Sequence, residues 1–176
     1  MINKNIINYL FLLCIGIFFF NPVCARIHKS YKKAEEFLLY DLNGKRFYLS
    51  AQKGNIVLLN FWSVQCAPCI KEMAELERLE RFFKYGNGMV VGILCRPFEE
   101  TLIRSIVENN KISYRNCIDV NDKIAQIYGV NKLPTTFIID YDGYIRYKTA
   151  GYMRENSENY KKIISQLINE RDNKKK

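Results

Sequence analysis

The stretch Phe61-Trp62-Ser63-Val64-Gln65-Cys66-Ala67-Pro68-Cys69-Ile70-Lys71-Glu72-Met73-Ala74-Glu75-Leu76 sets two cysteines three positions apart. An apolar run precedes them and a helical pattern follows. Such a pair can be a redox couple, half of a metal site, a structural staple or two buried thiols. Cys66 falls where a strand ends and a helix begins. Pro68 suits the first helical turn, where its missing N–H costs nothing. Free backbone N–H groups and the helix dipole at that end stabilise a thiolate. The expectation is a lowered pKa for Cys66 and a nucleophilic sulfur near neutral pH. Cys69 lies almost one turn on. It can close a small disulfide with Cys66 and resolve a mixed disulfide formed there.

The flanks supply the frame. Residues 55–62, NIVLLNFW, form a continuous apolar run that predicts a strand buried on both faces. Residues 67–85 predict a helix, with Met73, Leu76, Leu79 and Phe83 at helical spacing and charges on the other side. Residues 89–95, MVVGILC, predict a second buried strand, and 98–110 a second helix. A short extended piece at 114–118 and a short helix at 121–128 follow. Residues 135–140, TTFIID, turn through Asp142-Gly143 into a partner strand at 144–149. A last helix spans 155–170, with Tyr160, Ile163, Ile164, Leu167 and Ile168 on its apolar side. Upstream, residues 36–50 predict a β-hairpin turning at Asn43-Gly44. Strands alternating with helices give parallel pairing through crossovers, and the hairpins add antiparallel strands. The expected fold is α/β, a mixed central sheet flanked by helices with an N-terminal β-hairpin extension.

The chain has 176 residues and 48% hydrophobic content, enough for one domain with a real core. Residues 10–20, LFLLCIGIFFF, follow Lys4 and precede Val23-Cys24-Ala25. That is the pattern of a secretory signal peptide over residues 1–25, too short for an ordinary membrane span. An uncleaved anchor is the alternative, and it leaves the domain on the same side of the membrane. Cys24 lacks the small-residue context of a lipidated cysteine. Residues 26–35 read as a polar lead-in and residues 171–176 as a basic C-terminal tail. The expected location is the periplasm, with anchoring to the inner membrane as a variant. The net charge is +9, but the bases are spread along the chain, so no nucleic-acid partner is expected. Attraction to anionic lipid or an acidic partner fits better.

Four cysteines remain beyond the signal: Cys66, Cys69, Cys95 and Cys117. Export permits disulfides. A zinc ribbon needs a second CxxC, and Cys95 and Cys117 are far apart in sequence. The single histidine, His28, stands in the lead-in. No metal and no cofactor beyond a redox-active Cys66–Cys69 disulfide is expected. A copper or zinc chaperone using the two thiolates is the binding-module alternative. A peroxiredoxin-like peroxidase is the catalytic rival: Ser63 lies three residues before Cys66, where peroxiredoxins carry Thr or Ser. The upstream proline of that motif is missing, and Cys69 would be an odd companion.

Asn60-Phe61-Trp62 before Cys66-Ala67-Pro68-Cys69, then Glu72-Met73, then Leu133-Pro134-Thr135-Thr136-Phe137-Ile138-Ile139-Asp140 resembles the TlpA/ResA branch of thioredoxin-like proteins. These are exported thiol:disulfide oxidoreductases. The resemblance implies a thioredoxin-like domain over about residues 36–170. It implies that Cys66 attacks and Cys69 resolves. It makes Pro134 a cis-proline facing the active site, with Leu133 pairing its backbone with a bound substrate chain. It places Trp62, Ala67 and Pro68 beside the substrate. It makes Glu72 the acid that serves Cys69, since Asn60 stands where thioredoxin has a proton-accepting Asp. The alternative for Glu72 is a solvated helix charge; Trp62 can be a plain core aromatic, a role compatible with a place beside the substrate. Gln65 departs from the aromatic residue common before the first cysteine, which bears on substrate choice. The implied substrates are protein disulfides, such as those of apocytochrome c or copper-site proteins of cytochrome oxidase, with a membrane thiol reductant upstream. Cys95 and Cys117 lie outside the family pattern. Each ends a predicted strand, so they form either a second, structural disulfide or two free buried thiols.

Overall fold

The computed structural model describes residues 31–83, 88–96 and 99–174. The expected signal segment lies outside them. Strands β1 (Leu38–Asp41) and β2 (Arg46–Tyr48) form the expected hairpin. Then come β3 (Ile56–Trp62), α1 (Ala67–Phe83), β4 (Gly88–Cys95), α2 (Glu100–Asn109) and β5 (Arg115–Asp119). The chain continues with α3 (Lys123–Ile127), β6 (Thr135–Ile139), β7 (Ile145–Ala150) and α4 (Asn156–Lys174). The strands form one sheet in the order β2-β1-β5-β4-β3-β6-β7. β3, β4 and β5 are parallel, with α1 and α2 as the crossovers, and every other pairing is antiparallel. This is the expected thioredoxin-like mixed sheet.

The period of two in β3 positions the site. Every residue of this strand is buried, because helices or other strands cover both sides. Ile56 and Leu58 pack with Leu76, Leu79 and Phe83 of α1 and Tyr160, Ile164 and Leu167 of α4. Val57, Leu59 and Phe61 point the other way, into a cluster with Phe37, Phe47, Tyr128 and Phe137. Asn60 and Trp62 share the parity of Ile56 and Leu58. The one polar side chain of the strand therefore faces the α1 and α4 side.

Two boundaries differ from the sequence expectation. The end of the lead-in is not a loose polar segment. The Ala34 N–H donates to Gly143 O at 2.9 Å, the Ile145 N–H donates to Lys32 O at 2.8 Å, and Arg146 lies over the Tyr31 ring at 4.2 Å. Backbone pairing fixes these residues, and backbone pairing leaves no trace in side-chain polarity. The basic tail is likewise helical as far as Lys174, whose ammonium meets Asp142 at 2.8 Å. In the hairpin only Gly44 of the Asn-Gly pair takes positive φ, at 72°. Asp41 Oδ1 accepts the N–H groups of Asn43 and Lys45, both at 2.9 Å, and holds the turn.

Candidate active site

Cys66 sits just outside the first residue of α1, in the helix-capping position. Its carbonyl accepts the Ile70 N–H at 3.2 Å, and its Sγ accepts the Cys69 N–H at 3.2 Å. A capping oxygen of Ser or Asp ordinarily takes that second bond. Sulfur fills the role here, at the end of a helix that favours negative charge. Cys66 and Cys69 are joined in a disulfide with Cα atoms 5.2 Å apart. Their surroundings differ. Cys66 is half-buried, while Cys69 is 1% exposed among Trp62, Met73, Leu94 and Ile103. Only Cys66 is open to an incoming partner.

Glu72, one turn after Cys69, is 0% exposed. It is no solvated helix charge. Its Oε2 accepts from Asn60 Nδ2 at 2.9 Å, and its Oε1 accepts the Tyr160 hydroxyl at 3.0 Å. Burial pushes its pKa up to about 7; the Tyr160 and Asn60 hydrogen bonds oppose that rise, and nearby Glu75 adds to it. A carboxyl poised there can hold or release a proton at neutral pH. Asn60 also donates to Thr136 Oγ1 at 2.9 Å. Its amide thus ties α1 to β6 and cannot itself take a proton.

The Leu133–Pro134 bond is cis, as the resemblance implies. Pro134 is buried and its carbonyl accepts the Gly151 N–H at 2.7 Å. Leu133 is half-buried, and among the described residues its backbone N–H and C=O take no backbone partner. Ala67 and Pro68 are exposed beside the disulfide. A cleft of about 510 Å³ opens here, lined by Gln65, Cys66, Lys132 and Leu133 on one side and Arg96 and Asp122 on another. Cys66, Gln65, Leu133 and the exposed Ala67-Pro68 edge are thus brought together.

Trp62 lies beneath them. It is 1% exposed, and its indole N–H donates to Asn116 Oδ1 at 3.0 Å. The two side chains meet over Gly92 on the intervening strand, where a Cβ would lie 2.2 Å from Asn116 Oδ1. Trp62 is a core residue behind Cys69, in a cluster against which Cys66 and Leu133 also pack. The second disulfide is absent. Cys95 and Cys117 are free and buried. The register of β4 on β5 sets Cys95 opposite Asp119 and Cys117 opposite Ile93, so the sulfurs belong to diagonal rather than facing positions. Burial pushes both thiols up to about 12. Cys95, Asp119 and Asp122 do bring ligand-type atoms within 4.8 Å of one another. Those carboxylates already serve the backbone: Asp119 accepts the N–H groups of Ile124 and Ala125, and Asp122 that of Arg96. The group is better suited to capping α3 than to holding a cation.

Sequence reasoning missed Tyr160 and Thr136. Tyr160 falls on the apolar stripe of α4 and Thr136 in a β-rich run, so each passes as ordinary core. The one available signal was Asn60, an amide in a strand otherwise apolar, which demands polar partners across the interface.

Residues 31–148 match the AhpC/TSA family. Among curated proteins the chain is similar to thiol-disulfide oxidoreductase ResA of Bacillus anthracis, 35% identical over 135 residues, covering 76% of this chain and 78% of that one. ResA of Bacillus subtilis (strain 168) is 31% identical over 122 residues, covering 69% and 68%. Among solved structures, a DsbF homologue from Corynebacterium diphtheriae superposes with a TM-score of 0.72 at 25% identity, over 80% of this chain and 89% of that one. StoA from Bacillus subtilis superposes with a TM-score of 0.62 at 21% identity, over 73% and 96%. With a thioredoxin-like sheet, a cis-proline and a CxxC pair capping α1, the chain belongs to the TlpA/ResA-type thiol:disulfide oxidoreductases within the AhpC/TSA family.

Proposed function

We propose that this oxidoreductase acts outside the cytoplasmic membrane as a reductant of protein disulfides, in the maturation of cytochrome c or of the copper site of cytochrome oxidase. The observation that carries the reading is the inequality of the two sulfurs: Cys66 borders the cleft beside Leu133, and Cys69 is sealed one turn before Glu72. In the reduced protein the Cys66 thiolate attacks a substrate disulfide, forming a mixed disulfide and releasing one substrate thiolate. Cys69 then passes its proton to Glu72 and attacks Cys66 Sγ. The second substrate thiolate leaves, and the Cys66–Cys69 disulfide holds the two electrons' worth of oxidation. A thiol reductant in the membrane returns the pair to the dithiol. The substrate chain lies along Leu133, whose backbone groups are open for pairing, with Ala67 and Pro68 flanking it.

Export is supported by the apolar run at residues 10–20. No helix among the described residues is long and apolar enough to cross a membrane. The test is capture. Cys69→Ala leaves the mixed disulfide unresolved, so partners accumulate as covalent adducts. Adducts with proteins bearing paired cysteines for haem or copper are expected. Adducts no more abundant than in the Cys66→Ala/Cys69→Ala double variant would refute the reading.

A further inference from the structure

The carboxyl of Glu72 belongs to a ring of four buried side chains from four elements. Asn60 of β3 donates to Glu72 Oε2 and to Thr136 Oγ1 of β6. Tyr160 of α4 donates to Glu72 Oε1, and Thr136 stands beside its hydroxyl. Asn60, Glu72, Thr136 and Tyr160 are each 2% exposed or less. The ring has a direction. Asn60 donates to both Glu72 and Thr136, and Tyr160 donates to Glu72. Both carboxylate oxygens receive a donor, so this arrangement suits the anion.

A protonated Glu72 needs the opposite sense at one of its oxygens. The Asn60 amide nitrogen cannot accept, so the proton belongs on Oε1, facing Tyr160. A phenol can accept as readily as it donates. With the carboxyl donating to Tyr160, the phenol turns its own hydrogen onto Thr136 Oγ1, whose two lone pairs then serve Asn60 and Tyr160 together. The Thr136 hydrogen turns out of the ring.

We propose that Tyr160 is a positioning residue for the exchange reaction: its hydroxyl, backed by Thr136, reverses direction with each proton that enters or leaves Glu72, and so lets the carboxyl change charge in a sealed site. An acid with fixed donors on both oxygens could serve one state only. The inference rests on the reading of Glu72 as the proton partner of Cys69, but the ring is testable apart from it. Around the carboxyl stand Cys69 and Glu75 on its own helix, Asn60 on β3, Thr136 on β6, Tyr160 on α4, Tyr114 before β5 and Tyr152 before α4. Of these, only Asn60 and Tyr160 hydrogen-bond to it among the described residues.

The experiment is carbon-13 NMR of the full-length protein, following the Glu72 carboxyl and the Tyr160 Cζ from pH 5 to pH 9. In the unaltered chain the two resonances should titrate with one shared midpoint; a Tyr160 signal flat across the Glu72 transition overturns the proposal. In Tyr160→Phe the Glu72 midpoint should rise by about one pH unit, a tenfold change in proton affinity, because the anion loses a donor. An unmoved midpoint overturns it. The pH profile of Cys69 alkylation in the reduced protein reads the linked claim. Tyr160→Phe should shift that profile in the parent and leave it in place in a Glu72→Gln background; a shift that persists there shows that Tyr160 acts by another route and overturns the proposal. If Glu72→Gln alone leaves the Cys69 profile unchanged while the two resonances still titrate together, the ring stands and the role of Glu72 in resolution falls.

Discussion

The chain carries two pairs of cysteines on one sheet-and-helix frame, and they could hardly differ more. Cys66 and Cys69 stand at the start of a helix, with the Cys69 N–H donated to the Cys66 sulfur and Cys66 open to a cleft. Cys95 and Cys117 stand on adjacent strands, buried and unbonded. Their carboxylate neighbours differ in the same sense. Glu72 offers a buried carboxyl with a pKa of about 7. Asp119 and Asp122, beside Cys95, are engaged as acceptors of backbone N–H groups. The same residue type is thus half of an accessible disulfide at one place and a small apolar core side chain at another. The element that carries the sulfur, more than the sulfur, sets the chemistry.

The largest effect that could break this contrast is loss of turnover. Cys66→Ser should reduce disulfide exchange to background in an insulin-reduction assay, while Cys117→Ala should leave the rate within about twofold. A large loss from Cys117→Ala would erase the distinction. Next is alkylation. A thiol with a pKa of about 12 is thiolate to the order of 10⁻⁵ at pH 7. Iodoacetamide and mass spectrometry of the reduced native protein should therefore find Cys66 labelled first, with Cys95 and Cys117 labelled only after denaturation.

The carboxyls supply a smaller test. Glu72 has a folded pKa of about 7 against an ordinary value of 4.5. The folded state keeps this proton longer than the unfolded chain does. Its contribution to stability is therefore full below about pH 4.5 and declines as pH rises through about 7, by roughly 3 kcal/mol in all. Glu72→Gln should flatten that slope in urea titrations between pH 4.5 and 7.5, and an unchanged slope would mean that the carboxyl is not the titrating group. Smallest is the packing term: Cys117→Ala should lower stability by about 1 kcal/mol, as loss of a small buried group does.

The frame was legible because its signals are periodic. The apolar run of β3, broken only by Asn60, and the stripe of α1 mark strand and helix whatever surrounds them. The disulfide was legible because two cysteines three positions apart at a strand-to-helix junction can close a small ring. What escaped depends on register or on distant parts of the chain. Whether Cys95 faces Cys117 turns on a two-residue offset between β4 and β5. Whether Trp62 reaches the surface turns on Asn116, 54 positions away, and on the missing Cβ of Gly92. Glu72 reads as a solvated charge until Asn60 and Tyr160 are seen to enclose it, and Tyr160 stands 88 positions further on. Residues 31–35 pair through their backbone, which side-chain polarity does not report.

The most direct test of a reducing exchange is the equilibrium reduction potential of the Cys66–Cys69 pair, measured in the purified protein against a thiol redox buffer. A value near thioredoxin's, about −270 mV, or modestly above it is expected. A value near that of DsbA, about −120 mV, would make the protein an oxidant and contradict the proposed direction of electron flow, leaving the fold untouched.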